Sequence, residues 1–185
     1  MSLYLDPDHD EARNGPIFDI PDHLAQGSDI MHAASLVIGS LGILIRGATG
    51  SGKSLLQRHL RQEADHRGLY AALISDDYVR LARTAGAEHQ APSLLAFAPL
   101  ATRRLQEVRG FGVTELSPAH HLTSAVMHLL IDLTDAKDIV RMPSRDEARL
   151  DVQGVRIDHL QAPERQSALA CDLIFARLST WKAGG

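Results

Sequence analysis

The stretch Gly47–Ser54 reads GATGSGKS and fits the pattern G-x-x-x-x-G-K-[ST] at each fixed position. Its three glycines let the backbone curve so that successive N–H groups point inward, which creates a site for an anion. Lys53 can then reach terminal phosphate oxygens, and the hydroxyl of Ser54 can ligate Mg²⁺. The stretch therefore predicts a phosphate-binding loop (P-loop).

The residues around this loop predict a strand before it and a helix after it. Residues 33–38 and 42–45 are typical of two short strands joined at a glycine turn. After Ser54 the apolar residues Leu56, Leu60 and Ala64 recur at four-residue steps, and Gly68 ends the segment as a helix stop would. The order strand, glycine loop, helix is the context that a phosphate-binding loop needs.

The rest of the chain predicts further strands and one terminal helix. Strands are expected over 70–74 and 128–133, and residues 107–113 indicate a strand that leads into a tight glycine site. A helix is expected to begin at Pro163, with one face formed by Leu169, Leu173, Ala176 and Thr180. Because glycine-rich hairpins alternate with few helices, we expect an α/β domain with a mixed sheet.

Composition narrows the class of protein. The chain has 185 residues, 44% of them hydrophobic, which suits one domain with a core. Lys and Arg number 19 against 23 Asp and Glu, and the net charge of -4 argues against a broadly basic nucleic-acid surface. A single cysteine, Cys171, cannot form an internal disulfide and is expected to be a small buried hydrophobe.

The N-terminal sequence predicts a flexible arm followed by the catalytic domain. Residues 1–24 are acidic with little periodic hydrophobicity, and we expect the folded domain over 25–185. No stretch has the pattern of a signal peptide or of a membrane span. We therefore expect a cytoplasmic protein with neither nucleic acid nor membrane among its partners.

Two carboxylates follow the strand predicted over 70–74. Asp76 and Asp77 stand at its end, and Asp77 lies 24 residues after Lys53. A carboxylate pair near a terminal phosphate suggests proton transfer. A different acid, Asp132, ends the apolar run 129–131 and could instead hold Mg²⁺ as in many P-loop proteins.

Five segments in this order resemble the HPr kinase/phosphorylase family in its short form, which lacks an extra N-terminal domain. They are 31–32 (MH), 47–54, 76–79 (DDYV), 107–113 (EVRGFGV) and 140–142 (VRM), and the resemblance covers about residues 30–178. It implies a phosphoenolpyruvate-carboxykinase-like α/β fold with a P-loop, commonly a homo-oligomer of six chains. It also implies ATP- and Mg²⁺-dependent phosphorylation of a serine on HPr, the phosphocarrier of the sugar phosphotransferase system, and removal of that group by inorganic phosphate (phosphorolysis).

The same resemblance implies roles for single residues. Lys53 becomes the active-site lysine, and Asp77 the proton acceptor of the kinase reaction and the donor in phosphorolysis. His32 and Arg141 match active-site residues, and Ser54 and Glu107 match Mg²⁺ ligands. The residues implied to bind ATP are Gly47, Ala48, Thr49, Gly50, Ser51, Gly52, Lys53 and Ser54. A carboxylate suits the role of Asp77 because a serine hydroxyl is a weak acid that must lose its proton during transfer.

Other interpretations stay open on the sequence alone. A P-loop ATPase or small-metabolite kinase would use Asp132 as its metal ligand, and a nucleotide-sensing regulatory protein would bind ATP and transfer nothing. His32 could be a strand-end histidine bonded to backbone, and Asp76 could cap a turn beside a catalytic neighbour. Glu107 and Arg109 could form an exposed ion pair.

Overall fold

The computed structural model describes residues 16–86 and 91–182. Its helices are α1 (Asp22–Ala25), α2 (Lys53–His66) and α3 (Ser167–Lys182), and 3-10 turns span Pro118–His120 and Ala136–Asp138. Its strands are β1 (Asp29–His32), β2 (Ala34–Ile38), β3 (Leu41–Arg46), β4 (Ala71–Ser75), β5 (Tyr78–Arg83), β6 (Leu94–Phe97), β7 (Leu105–Val108), β8 (Gly112–Glu115), β9 (Ser124–Thr134), β10 (Arg149–Val152) and β11 (Val155–Pro163).

Nine strands form one mixed sheet in which β9 is central. The main order is β1-β5-β6-β9-β3-β2-β4, and β10 joins through β11. Residues 124–127 of β9 pair antiparallel with β6, residues 129–134 pair in parallel with β11, and β3 runs parallel along the other edge. The expected mixed α/β sheet is confirmed. β7 and β8 form a separate two-stranded ribbon.

Alternation along the strands supplies two hydrophobic clusters, one on each face of the sheet. In β3, Ile43 and Ile45 point to the cluster that packs on α2 and α3, and Leu44 points to the opposite cluster. The opposite cluster draws its members from strands and their connections, including Val79, Leu130 and Ile157. The helices therefore cover one face, and the strands β5, β6, β10 and β11 help to close the other.

The elements around the glycine loop form as the sequence predicts. The hairpin β2–β3 and helix α2 match the predicted segments to within a few residues. Helix α2 ends where the N–H of Gly68, in left-handed backbone (φ +65°), donates to the oxygen of Asp65 at 2.9 Å. Strands β4 and β9 cover the other two predicted strands.

The strand predicted to lead into a tight glycine site is confirmed: β7 ends at Val108, and Gly110 (φ +81°) and Gly112 (φ +117°) turn the chain into β8. One predicted element needs correction. Pro163 does not open the last helix: it ends β11, and α3 begins at Ser167.

The buried face of α3 also differs from the predicted one. Ala170, Ile174 and Leu178 face the core, while Leu169 is 48% exposed. Cys171 is buried as predicted, and burial raises the pKa of its thiol. The predicted face begins at Leu169, whereas the buried face begins one residue later, at Ala170, and continues at four-residue steps.

The later part of the predicted arm contacts the sheet. Phe18 forms a β-bridge with Pro99, its ring lies 5.3 Å from the guanidinium of Arg80, and the N–H of Leu100 donates to the oxygen of Ile17 at 2.8 Å. Residues 16–25 are thus docked, and residues 1–15 lie outside the described ones. No helix among the described residues is long and apolar enough to cross a membrane.

Truncation of Leu60 tests the packing of α2 on the sheet. Leu60 is fully buried, so Leu60→Ala is expected to lower the free energy of unfolding by about 2–5 kcal/mol. Leu55 lies on the same helix but is 41% exposed, and Leu55→Ala is expected to change the free energy of unfolding by less than about 0.5 kcal/mol. Denaturant unfolding followed by circular dichroism measures both, and equal losses would contradict this packing.

Candidate functional site

The glycine loop joins β3 to α2 and is too tight for larger residues at two positions. A side-chain Cβ at position 47 would lie 2.7 Å from Oγ of Ser51 and 2.9 Å from Cβ of Leu133. Gly52, the N-cap of α2, has a φ of +100°, which L side chains rarely adopt. The loop therefore curves in front of the helix N-terminus, where unpaired N–H groups and the helix dipole favour an anion.

The glycine loop encloses two polar side chains, those of Lys53 and Ser51. Lys53 is only 7% exposed, and its Nζ donates to the oxygens of Gly47 at 3.0 Å and of Ala48 at 3.3 Å. The hydroxyl of Ser51 is buried without a hydrogen-bond partner among the described residues. An unpartnered buried hydroxyl is costly unless a ligand or water bonds it, so the loop is suited to receive an oxyanion.

Arg165 extends the site, although no sequence motif pointed to it. Its backbone N–H donates to the oxygen of Ser51 at 2.9 Å, and its Nε donates to the oxygen of Gly50 at 3.3 Å. The side chain is 71% exposed, so the guanidinium is free to turn toward an anion on the loop. Arg165 lies 115 residues from Gly50 in the chain and belongs to none of the motifs, which is why sequence reasoning missed it.

Asp76 and Asp77 occupy the turn between β4 and β5 and face different surroundings. The turn is held by the hydroxyl of Ser75, which donates to the oxygen of Tyr78 at 2.6 Å. Asp76 is half-buried against α2 and accepts from Nε2 of Gln57 at 3.2 Å. Asp77 is exposed, and its Oδ1 lies 2.6 Å from Nε2 of His32.

Asp76 has the perturbed carboxyl of the pair. Burial raises its pKa, and the negative charge of Asp77 adds to this. The hydroxyl of Ser54, the amide of Gln57 and the backbone N–H of Glu107 favour the ionised form and limit the rise. Asp76 therefore lies beside Ser54 and the backbone of Glu107, in addition to its place in the turn between β4 and β5.

Strand register explains why His32 meets Asp77. β1 pairs antiparallel with β5 so that His32 is opposite Tyr78, the residue after Asp77. The rings of His32 and Tyr78 lie 5.1 Å apart between centroids. His32 is therefore held beside the acidic turn by the sheet, and its ring bonds a carboxylate and not the backbone.

The predicted metal ligands and Arg141 make fewer contacts that fix their side chains than His32 and Asp77 do. Ser54 is in the first turn of α2, and Glu107 is exposed on β7. Arg141 is exposed in the connection between β9 and β10 and makes no side-chain hydrogen bond to another described residue. The start of that connection is tied down by the N–H of Val140, which donates to Oε1 of Gln161 at 3.0 Å.

Asp132 is engaged by an arginine and a histidine. Arg46 donates to both carboxylate oxygens at 2.7 Å, and Nε2 of His159 lies 3.0 Å from Oδ2. Burial raises the pKa of Asp132, but the arginine and the histidine outweigh it and hold the pKa below its usual value. Both oxygens are thus occupied by protein groups, which weighs against Asp132 as a metal ligand.

A cavity of about 640 Å³ connects the two parts of the site. His32 and Gly47 both line it, and its opposite wall is the β10–β11 hairpin at Asp151 and Gln153. The cavity therefore extends from Gly47, the first residue of the glycine loop, to His32, the partner of Asp77. No group of three or more His, Cys, Asp or Glu side chains arranged to hold a metal occurs among the described residues.

Comparisons with known proteins agree with this fold. No model of a protein family matches the sequence, and no curated protein matches it. Twenty chains of solved structures match, among them the Hpr(Ser) kinase/phosphatase from Coxiella burnetii, at 20% identity and a TM-score of 0.63. That match covers 84% of this chain and 93% of the other chain. The resemblance to HPr kinase is thus confirmed in the fold, with its large mixed sheet.

The Asp132 cluster predicts a pH-dependent stability. Because the pKa of Asp132 is lower in the folded protein, its ionised form stabilises the fold above the unfolded value of 3.8, and this is lost as pH falls through the folded value. Asp132→Asn is expected to lower the free energy of unfolding by about 1–3 kcal/mol at pH 7 and by less near pH 3. Urea unfolding from pH 3 to 7 measures this, with exposed Asp172→Asn as the control. A constant cost over this range would contradict the assignment.

Proposed function

We propose that the protein is an ATP- and Mg²⁺-dependent kinase that phosphorylates a serine of the phosphocarrier protein HPr and removes the phosphoryl group by phosphorolysis. The observation that carries this proposal is the 2.6 Å contact between His32 and Asp77, on a cavity that reaches the glycine loop. The sequence resemblance selected both residues independently, although they lie 45 positions apart. The likeness in fold supports the same family of reactions.

The loop would hold the phosphates of ATP. Backbone N–H groups at the start of α2 bind phosphate oxygens, and the hydroxyl of Ser51 gains the partner that it lacks among protein atoms. The ammonium of Lys53 would exchange its two carbonyl contacts for oxygens of the terminal phosphate. Arg165 and Arg141 are available to offset the charge of the transferring group.

Ser54 and Glu107 would hold Mg²⁺, with Asp76 beside them. The donor set is one hydroxyl and carboxylates, which are the oxygen ligands that Mg²⁺ prefers. Mg²⁺ commonly keeps one or two protein ligands and takes the rest from phosphates and water, so a larger protein cluster is not required. When bound, the ion would offset the negative charge of the phosphates.

Asp77 would take the proton of the incoming serine. In the kinase direction the serine oxygen forms a bond to the terminal phosphorus of ATP, its proton passes to the Asp77 carboxylate, and ADP leaves. Nε2 of His32 contacts Oδ1 of Asp77, and this contact orients the carboxylate and keeps it beside the cavity. Asp76 differs because it is half-buried and accepts a hydrogen bond from Gln57 on α2.

The reverse reaction uses the same groups. The oxygen of inorganic phosphate attacks the phosphorus of phosphoserine, the serine oxygen leaves, and protonated Asp77 returns the proton to it. The products are pyrophosphate and the free serine hydroxyl. Microscopic reversibility requires that the acceptor of one direction be the donor of the other, which a single carboxyl satisfies.

Exposure of the acidic turn favours a protein substrate over a small metabolite. The side chain of Asp77 is 63% exposed and that of His32 is 38% exposed. A serine carried on a protein surface can reach such a carboxylate, whereas metabolite sites bury most of their ligand. HPr as that protein, a cytoplasmic setting and a homo-oligomeric assembly of six chains are parts of this proposal that rest on the family resemblance.

Substitution of Asp77 tests the proposal. Purified protein, labelled ATP, Mg²⁺ and HPr are expected to yield phosphoserine on HPr, and Asp77→Asn is expected to slow transfer by about 10²–10⁴-fold. Nucleotide binding should persist, because the glycine loop is untouched. Asp172→Asn, an exposed change on α3, serves as the control. Transfer at the normal rate by Asp77→Asn would refute its role, and absence of transfer by the unaltered protein would refute the activity.

Comparison of Glu107 with Asp132 separates the kinase from a generic P-loop ATPase. Glu107→Gln is expected to raise the Mg²⁺ concentration needed for half-maximal transfer by about tenfold or more, because a charged ligand is lost. Asp132→Asn is expected to leave that concentration unchanged at pH 7. A Mg²⁺ titration of the initial rate measures both, and the reverse pattern would favour the ATPase with Asp132 as its ligand.

A further inference from the structure

Arg46 belongs to none of the sequence motifs but lies directly before the glycine loop. It is the last residue of β3 and is followed by Gly47. Its side chain is 41% exposed and lines the cavity of about 640 Å³ that also reaches His32. Because alternate side chains of a strand share a face, Arg46 lies on the same face of the sheet as Leu44, away from α2 and α3. A ligand in this cavity can therefore contact the guanidinium of Arg46.

Asp132 holds that guanidinium in one orientation. The strand register places the two residues opposite each other, and Nε and Nη2 of Arg46 each donate to one carboxylate oxygen at 2.7 Å. This two-point contact uses one edge of the planar group, and its hydrogen bonds raise the pKa of Arg46. Nη1 makes no hydrogen bond to another described residue. Its two N–H groups are therefore fixed in place and available to an acceptor.

His159 supports the same contact from β11. Its Nε2 lies 3.0 Å from Oδ2 of Asp132, and its Nδ1 lies 3.1 Å from the backbone oxygen of Glu147. Glu147 belongs to the connection between β9 and β10 that also carries Arg141. Strands β3, β9 and β11 are parallel neighbours, so Arg46 lies at the carboxyl end of parallel strands, where open α/β sheets bind their ligands. Asp132 and His159 thus tie Arg46 to two neighbouring strands.

The charges on the cavity wall favour an anion at one end of the cavity. Among the described residues that line it, Arg46 is the only arginine or lysine. Two aspartates, Asp29 and Asp151, also line the cavity, and their carboxylates repel an anion. A phosphoryl group in this space is therefore most stable beside Arg46 and the glycine loop, where the N-terminus of α2 adds its own attraction for phosphate.

We propose that Arg46 is a further catalytic residue, whose Nη1 contacts the phosphoryl group on its way to or from the substrate serine, and that Asp132 and His159 are positioning residues for it. The inference rests on the proposed function for the identity of the substrate. The bond between the serine oxygen and phosphorus forms in one direction and breaks in the other, and Arg46 transfers no proton. Its charge offsets the negative charge that spreads over the phosphoryl oxygens. Arginine suits this task because its planar donors match phosphate oxygens.

Arg46→Lys keeps the positive charge and a partner for Asp132 but loses Nη1. We expect it to lower kcat for transfer to HPr by about 10²-fold or more, since a donor to the developing charge is lost. ATP binding is expected to persist, because the glycine loop is unchanged. Arg67→Lys is the matched control: Nε of Arg67 donates to Glu63 at 2.7 Å, the side chain is 48% exposed, and the residue caps the far end of α2. Equal rates for Arg46→Lys and Arg67→Lys would overturn the proposal.

Added guanidinium ion separates a catalytic role of Arg46 from a structural one. In Arg46→Ala the ion can bind beside Asp132, so it is expected to restore part of the lost kcat, and Arg67→Ala at the same concentration corrects for its effect on the fold. Asp132→Asn retains Arg46 without its orientation, so kcat is expected to fall with no change in KM for ATP and no recovery by guanidinium. Circular dichroism gives the folded fraction of each variant. No recovery in folded Arg46→Ala would overturn the catalytic role, and an unchanged kcat in Asp132→Asn would overturn the positioning role.

Direct binding tests the contact without any transfer. Calorimetry is made on the full chain carrying Lys53→Met, which weakens the anion site of the glycine loop, with O-phospho-L-serine as the probe and L-serine as the blank. We expect the probe to bind, and the added change Arg46→Lys to weaken binding by about tenfold or more through the loss of a charged hydrogen bond. No binding of the probe, or equal binding after Arg46→Lys, would overturn the proposal. Absence of transfer to HPr by the unaltered chain would instead refute the proposed function, so the two failures are distinguishable.

Discussion

The parallel pairing of β3 with β9 is the constraint from which the site follows. At Gly42 a side-chain Cβ would lie 2.0 Å from the oxygen of Val126, so only glycine lets the two strands approach at this point. The register that results brings Arg46 opposite Asp132. It also brings β9 against the base of the glycine loop, where Leu133 lies next to Gly47. The curvature of the loop is therefore set by a strand that begins more than seventy residues later in the chain.

Local chemistry explains what could be predicted from sequence. The glycine loop and α2 are encoded by neighbouring residues, through backbone freedom at Gly52 and the four-residue repeat of the helix. The contact of His32 with Asp77 depends on how β1 pairs with β5, and the place of Arg165 depends on where β11 ends. No short pattern encodes either, so Arg165 was missed, and His32 could be singled out only through family resemblance. The prediction of the buried face of α3 was wrong because apolar residues occur on several sides of this helix.

The adjacent carboxylates of Asp76 and Asp77 have different surroundings within one turn. Successive side chains at a strand end point in different directions, so Asp76 faces α2 and Asp77 faces β1. The first is half-buried and accepts a hydrogen bond from the amide of Gln57. The second is exposed beside the ring of His32. Under the proposed function these surroundings suit two roles, because a single acid could not be both enclosed beside the proposed metal ligands and open to a protein substrate.

Helix α2 connects these groups by a chain of hydrogen bonds across its polar side. The amide of Gln57 donates to Asp76 and accepts from Arg61, and Arg61 in turn donates to Gln106. Gln57 is fully buried and Gln106 nearly so, so each bond in the chain replaces one that water would otherwise make. Such a chain has a fixed direction, because the guanidinium at its centre can only donate and the carboxylate at its end can only accept when ionised. The guanidinium of Arg61 therefore fixes the orientation of both amides, because the oxygens of Gln57 and Gln106 must face it, and this directs the nitrogen of Gln57 at Asp76.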